Sequence, residues 1–487
     1  MSDLTAAIAK LRVFDTARKK ALATAKAAQN AQVLLSAAEP LLTTIDAATA
    51  QLTTLLAGGA VSTPVVVPPV VVPPVVPVTV PVVVPVVPVV TPGIDARIAP
   101  DPATGPPNGV NWQEPIMILS GMADGDGVIR PKGHFRSLNP NVPALLLNCG
   151  DRRVDLSQCF IAHAGHGIKG GDATNLKATD VSFYGLNTGV DNLTRMPAIQ
   201  VSKGTNVDLQ YITTESGGGI FVEEWFGNHT PSQTVKIRNV KSRNVIGGDG
   251  GWRGGASGPK DGREYRHMVQ IKDVHTNNMV FEWLESYNEA NKSRIEDTFN
   301  FFNSGGLNAG NPALLQNFFF KGSYPFPANT KRFTGAAVSG DGDGNPLLAS
   351  SFIRVNRGWA VSNGNAAYNI SGGHDVLYEN LKMVTAGLLP DGSPMQCSYT
   401  GAGISDYYGT GLGNNLYIRN LVAGFMRSQD VLRRCDLTDE GRPVHPGITN
   451  VTPLPGPITL AMEEACFTEW VALLNANNQT CGSRYKA

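Results

Sequence analysis

From Pro64 to Pro92 the chain is almost pure proline and valine: PVVVPPVVVPPVVPVTVPVVVPVVPVVTP. Each proline removes a backbone donor and fixes φ, so the run builds neither a helix nor a central strand. The valines are β-branched, and residues before proline are pushed to extended geometry. The expected form is a polyproline-II-like rod, spanning on the order of 90 Å at ~3.1 Å per residue. Such a rod separates two parts of a chain, which implies display: one part anchors and the other reaches.

The flanks differ in composition. Residues 3–56 are alanine-rich, and the first glycine is Gly58. Leu4, Ile8 and Leu11 follow helical spacing, as do Leu41, Ile45, Leu52 and Leu55. Pro40 suits a first helical turn, and Gly58 and Gly59 a stop. Two such helices bury little core alone. They fit a hairpin packed on something else, or an intersubunit bundle in which alanines allow close approach. Arg12, Arg18, Lys19, Lys20 and Lys26 form a solvated face or meet an acidic partner. Zero formal net charge argues against nucleic acid as a partner.

No apolar run has transmembrane length, and MSDLTAAIAKLRVFD lacks the apolar core of a signal peptide. Membrane insertion and classical secretion are therefore not expected. Six cysteines do not make a disulfide scaffold, and no zinc spacing occurs. Cys149 with Cys159 and Cys466 with Cys481 are candidate pairs, against the alternative of buried thiols.

After the rod, alternating strand-like runs recur: VDLSQCFI (154–161), LKATDVSF (176–183), VDLQYIT (207–213), VKIRNVKS (235–242), VLYENLKM (376–383) and LYIRNL (416–421). Each is followed by a turn, mostly glycine-rich, and a second short run, often with Asn or Asp at the corner. Units ~20–35 residues apart mark a solenoid rather than a sandwich. The expected fold is mainly β: a right-handed parallel β-helix over 111–487, after a helical segment (1–60) and an extended linker (61–110). Trp112–Leu119 is expected to cap the first coil, and Leu460–Leu474 to form an amphipathic C-terminal helix with Glu463 and Glu464 in solvent.

The stretch HFRSLNPNVPALLLNCGDRRVDLSQCFIAHAGHGI resembles the opening rungs of pectin-lyase-like parallel β-helix proteins. NKSRIEDTFNFFNSGG, HDVLYENLKMV and GPITLAMEEACFTEW are similar to bacterial members of that group. The resemblance covers residues 115–487 and implies the fold, not an activity. A helical base, a linker and a β-helix together resemble a phage tailspike or fibre.

Long β-helices bind polysaccharides along a sheet face, with aromatic rings stacking on sugars and paired carboxylates supplying acid and base. The densest candidate region is 223–297. Glu223 and Glu224 follow a glycine turn, where alternation turns only one outward; the competing reading pairs one with Lys236 or Arg238. Trp225 is a candidate sugar platform. The insertion GGDGGWRGGASGPKDGREYRH offers Asp249, Trp252, Arg253 and Tyr265. Further on stand Glu282, Trp283, Glu285, Glu289, Glu296 and Asp297, the last two also readable as a structural corner with Arg294. His163, His166, His267 and His275 fall in different coils and define no triad. Asp341 and Asp343 resemble half of a calcium loop, but Phe352 stands where a closing glutamate belongs. No cofactor is expected beyond calcium at those two.

The expected function is a virion or extracellular spike. A homo-oligomer, a trimer by the fibre analogy, meets other virion proteins through its helices, and its head binds cell-surface polysaccharide. The alternatives are a polysaccharide lyase or glycoside hydrolase, and a purely structural fibre.

Overall fold

A computed structural model describes residues 95–186, 196–247, 266–331, 334–342, 348–396, 398–409, 411–428, 431–437 and 443–486. The expected N-terminal helices, the Pro/Val run and residues 248–265 of the insertion lie outside these. Val89–Ala487 forms one compact unit, and everything below concerns it.

The buried residues of its long strands share one pattern. In Asn175–Gly185 they include Leu176, Ala178, Val181 and Phe183; in Ala313–Ser323, Ala313, Leu315, Phe318 and Phe320. Strict alternation slips by one residue in the middle. The slip falls on a left-handed residue: Gln158, Asp180, Tyr211, Asn239, Trp283, Asn317, Arg357, Asn380, Asn420 and Asn450 all have φ between +51° and +57°. These ten stand in register on successive strands. The left-handed residue bends each strand into two limbs while both limbs keep their apolar residues inward. Half the column is asparagine, which tolerates this conformation better than most side chains.

After each bent strand up to His374–Thr385 the chain crosses to a short strand of a second sheet. Arg153–His163 leads to Ile168–Gly170, Asn175–Gly185 to Pro197–Gly204, and Asn206–Glu215 to Gly218–Trp225. The result is a 15-stranded and a 10-stranded sheet joined coil by coil around one apolar core. Pairing between coils is parallel; Leu416–Arg427 with Arg433–Arg434 is a local antiparallel exception. This is the topology of a parallel β-solenoid. Trp112–Gln113 and Ile116–Leu119 pair with His134–Ser137 and Leu145–Asn148, so they form the first rung rather than a cap over it.

The upper corner column is tied by side chains. Asn380 Nδ2 donates to Asn356 Oδ1 at 2.9 Å, Asn420 Nδ2 to Asn380 Oδ1 at 3.1 Å, and Asn450 Nδ2 to Asn420 Oδ1 at 3.2 Å. Asn420→Gly keeps the left-handed backbone and loses two hydrogen bonds, whereas Asn420→Ala also incurs the left-handed penalty of about 1–2 kcal/mol. The expected order of stability in urea melts is Asn, then Gly, then Ala. Equal Gly and Ala variants would show that φ is not the constraint.

One outer side of the solenoid is closed by residues 95–105 and by the C-terminal helix and tail. Helix Leu460–Ala476, capped by the Thr459 side chain, lays Cys466, Phe467, Trp470, Val471 and Leu474 over outward-facing Phe319, Val361 and Val384. Glu463, expected in solvent, is buried instead: one oxygen accepts from Ala386 N at 2.7 Å and the other from the Ser362 hydroxyl. Burial raises its pKa.

The tail then runs back along the corner column. Cys481 Sγ donates to Trp283 O, Gly482 N to Asn239 O, and Arg484 pairs with Asp180 at 2.8 Å and lies 3.6 Å from the Tyr211 ring centre. Residues 95–105, placed by sequence in the linker, lie on the same side. Asp95 N donates to Asn475 Oδ1, while Thr104 N and Gly105 N donate to Glu215 Oε2 at 2.8 Å. Cys149, Cys159, Cys466 and Cys481 are free thiols, so neither candidate pair is bridged. Among the described residues, no helix is long and apolar enough to cross a membrane.

Candidate functional site

Alternation along the short strands sends every second residue out of the 10-stranded sheet. Since Ile199, Ile220, Val269, Phe299 and Val338 are core, their neighbours face outward. Register aligns Lys169, Gln200, Phe221, Gln270, Asn300, Ser339 and Asn369 in one row. A second row holds Ser202, Glu223, Lys272, Phe302 and Asp341. Lys169 is exposed, Gln200, Phe221, Gln270, Glu223, Lys272 and Phe302 are half-buried, and Asn300 and Ser339 are buried. The C-terminal helix packs on the other sheet, against strands Ala313–Ser323, Ser351–Asn363 and His374–Thr385.

Glu223 anchors the polar part of this face. Its Oε1 accepts from Gln200 Nε2 at 2.9 Å and Ser202 Oγ at 2.8 Å, and its Oε2 lies 3.7 Å from Lys272 Nζ. His166 Nε2 and Gln200 Oε1 are 2.6 Å apart, so the imidazole donates there. Lys236 and Arg238, the partners weighed from sequence, stand on the other sheet; Arg238 pairs with Asp208 at 2.9 Å.

A cleft opens at the start of these strands, lined by Pro197, Gly219, Ile220, Phe221, Arg266, His267 and Gln270. Behind it His267, Glu296 and Asp297 converge, each offering a donor atom within 4.8 Å of the others. His267 Nδ1 lies 3.1 Å from Asp297 O, and its Nε2 lies 3.6 Å from Glu296 Oε2. Burial depresses the His267 pKa to about 3, so the ring is neutral near pH 7. Asp297 Oδ1 accepts from Ala336 N at 2.5 Å and Oδ2 from Asn300 Nδ2 at 2.6 Å. The structure thus joins Glu296 and Asp297 to a histidine that sequence placed in a separate coil. His267 stands at the end of the glycine-rich insertion, and that junction is the one sequence signal pointing to it.

The other candidates are scattered. Glu224 is an exposed left-handed corner residue, φ +52°. Trp225 packs on the core, and a Cβ at Gly227 would lie 2.7 Å from its indole. Its neighbour Phe226 is the exposed ring, 55% accessible, with Lys203 Nζ 5.4 Å from its centre. Glu282 faces out from the 15-stranded sheet and accepts from Gln316 Nε2 at 3.0 Å. Trp283 is a corner residue covered by the helix, its ring centre 6.3 Å from that of Trp470. Asp341 Oδ1 accepts from the Tyr408 hydroxyl at 2.7 Å and Gly342 N at 2.8 Å. Asp249, Trp252, Arg253, Tyr265 and Asp343 lie outside the described residues.

Glu285, which sequence offered among the acidic candidates, is instead the centre of a buried ionic cluster that sequence did not foresee. Glu285 accepts from Arg97 at 2.7 and 2.8 Å, from Trp470 Nε1 at 2.8 Å, and from Arg243. Asp101 pairs with Arg243 and with Lys241, both at 2.8 Å. The cluster's place under the helix makes it a clasp that ties residues 97–101 and the C-terminal helix to the sheet. Comparison with known proteins finds no match to this chain, whether to a family model, a curated protein or a solved structure.

Proposed function

We propose that the body is a right-handed, pectin-lyase-like β-helix and that the outward rows of its 10-stranded sheet bind surface polysaccharide. The handedness follows the strong preference of parallel crossovers. One observation carries the binding reading: residues 95–105 and the C-terminal helix and tail close the 15-stranded sheet, while the other keeps a row of half-buried amide, charged and aromatic side chains running across coils. Half-buried Gln, Lys and Phe in register, with exposed Phe226 nearby, suit a polymer of repeating hydroxyls and apolar ring faces. On this reading the protein is a virion spike that meets its target through this body, and calcium has no required part.

Binding is favoured over hydrolysis because both oxygens of Asp297 are held by hydrogen bonds and Glu296 faces His267 rather than the row. The test is a panel of bacterial capsule and lipopolysaccharide samples offered to the full chain. Binding without new reducing ends or unsaturated products is expected, and Phe221→Ala or Gln270→Ala should each weaken it about tenfold. No binding across varied glycans, or binding untouched by both substitutions, would overturn the assignment.

A further inference from the structure

His267 poses a problem of hydrogen-bond accounting. Its side chain is 2% exposed, and its Nδ1 faces the Asp297 carbonyl at 3.1 Å. A carbonyl only accepts, so Nδ1 carries the proton and Nε2 is left with a bare lone pair. That Nε2 is buried and has no hydrogen-bond partner. What stands before it is the Glu296 carboxylate, at 3.6 Å. Two acceptors pointing at each other in a dry setting repel unless something positive lies between them.

We propose that His267 Nε2, Glu296 and Asp297 bind a divalent transition-metal ion of the zinc or manganese class. The 3.6 Å between His267 Nε2 and Glu296 Oε2 suits this, since two ligands held at about 2.1 Å in a tetrahedron stand about 3.4 Å apart; Asp297, whose Oδ2 lies 4.0 Å from Nδ1, completes the group within 4.8 Å. The second shell suits it as well. Nδ1 donating to a backbone carbonyl is the arrangement that orients a metal-ligating histidine. The Asp297 oxygens are oriented by Ala336 N and Asn300 Nδ2. The imidazole donor favours zinc, the carboxylates also suit manganese, and calcium takes oxygen ligands alone. The ligands come from two successive coils, ahead of strands Val269–Lys272 and Phe299–Phe302. The ion would pin these coils together behind the cleft wall. The proposal is independent of the polysaccharide reading.

The experiment takes the full chain, stripped with a chelator, and titrates it with zinc, manganese and calcium chloride by calorimetry, with metal content measured after dialysis. One equivalent of zinc or manganese is expected, with a raised thermal midpoint. Glu296→Gln, which keeps shape and removes charge, and His267→Gln should each bind at least about 100-fold more weakly, beyond the cost of losing an outer-shell partner. Circular dichroism identifies a variant that still folds. No binding by the wild type at millimolar metal would overturn the site. So would binding unchanged in both folded variants, which would place the ion elsewhere, or calcium binding as tightly as zinc.

Discussion

Glu285→Ala is expected to remove about 3–5 kcal/mol of stability, because it leaves Arg97 and Arg243 without their shared partner beneath the C-terminal helix. Glu285 is fully buried and has three donors around it: two guanidiniums and the Trp470 indole. Burial by itself would raise its pKa, but the charges of Arg243 and then Arg97 outweigh that and bring it down to about 2. A carboxylate held lower in the folded state than in the unfolded chain stabilises fully above the ordinary carboxylate range. That contribution fades as pH falls from about 4.5 toward 2. The wild type should therefore lose stability over that window, and Glu285→Ala should lose less of it. Urea melts followed by tryptophan fluorescence at pH 7 and pH 3 measure both effects. A variant within 1 kcal/mol of wild type at pH 7, by the measure of a typical surface change, would remove the clasp from the account.

Trp470→Ala is expected to cost a similar 3–5 kcal/mol, by cavity formation. The indole is fully buried, with ring centres 6.1 Å from Trp359, 6.3 Å from Trp283 and 6.5 Å from Phe319. Its N–H also supplies one of the hydrogen bonds to Glu285. The double variant with Glu285→Ala should fall short of the sum of the singles, since both disturb the same contact. Trp470→Phe keeps much of the volume, loses that bond and should cost about 1–3 kcal/mol. Strict additivity in the double variant would show that helix packing and the ionic cluster are separate structures.

Much of the solenoid is legible in the sequence, for a local reason. Each coil repeats the same short-range demands: alternating apolar residues, a glycine where backbones approach, and Asn or Asp at a corner. The slip of one residue at Asn239, Asn380 or Asn420 is written there too, as apolar residues that change parity around an asparagine. Where the corner residue is Trp283, the same slip misleads. Simple alternation treats that indole as a strand residue, whereas its bend turns it under a helix nearly two hundred positions away. Glu285 fails for the same reason of distance, since Arg97 lies 188 residues before it and Trp470 lies 185 after it. Glu296 and Asp297 stand out as acidic neighbours, but only coil register brings His267 to them. Glu463 reads as a solvent-facing helical glutamate, because nothing local shows that Ser362 and Ala386, at the ends of two neighbouring strands, present donors to it.

Hydroxyl-radical footprinting of the full chain, with and without a polysaccharide that it binds, tests the assignment of the two faces most directly. The account predicts reduced labelling of Phe221, Phe302 and Phe226 in the presence of the polymer, with Trp359 and Tyr485 on the helix-covered side unchanged. Protection confined to the helix-covered side, with Phe221 and Phe302 labelled as in the free protein, would contradict it.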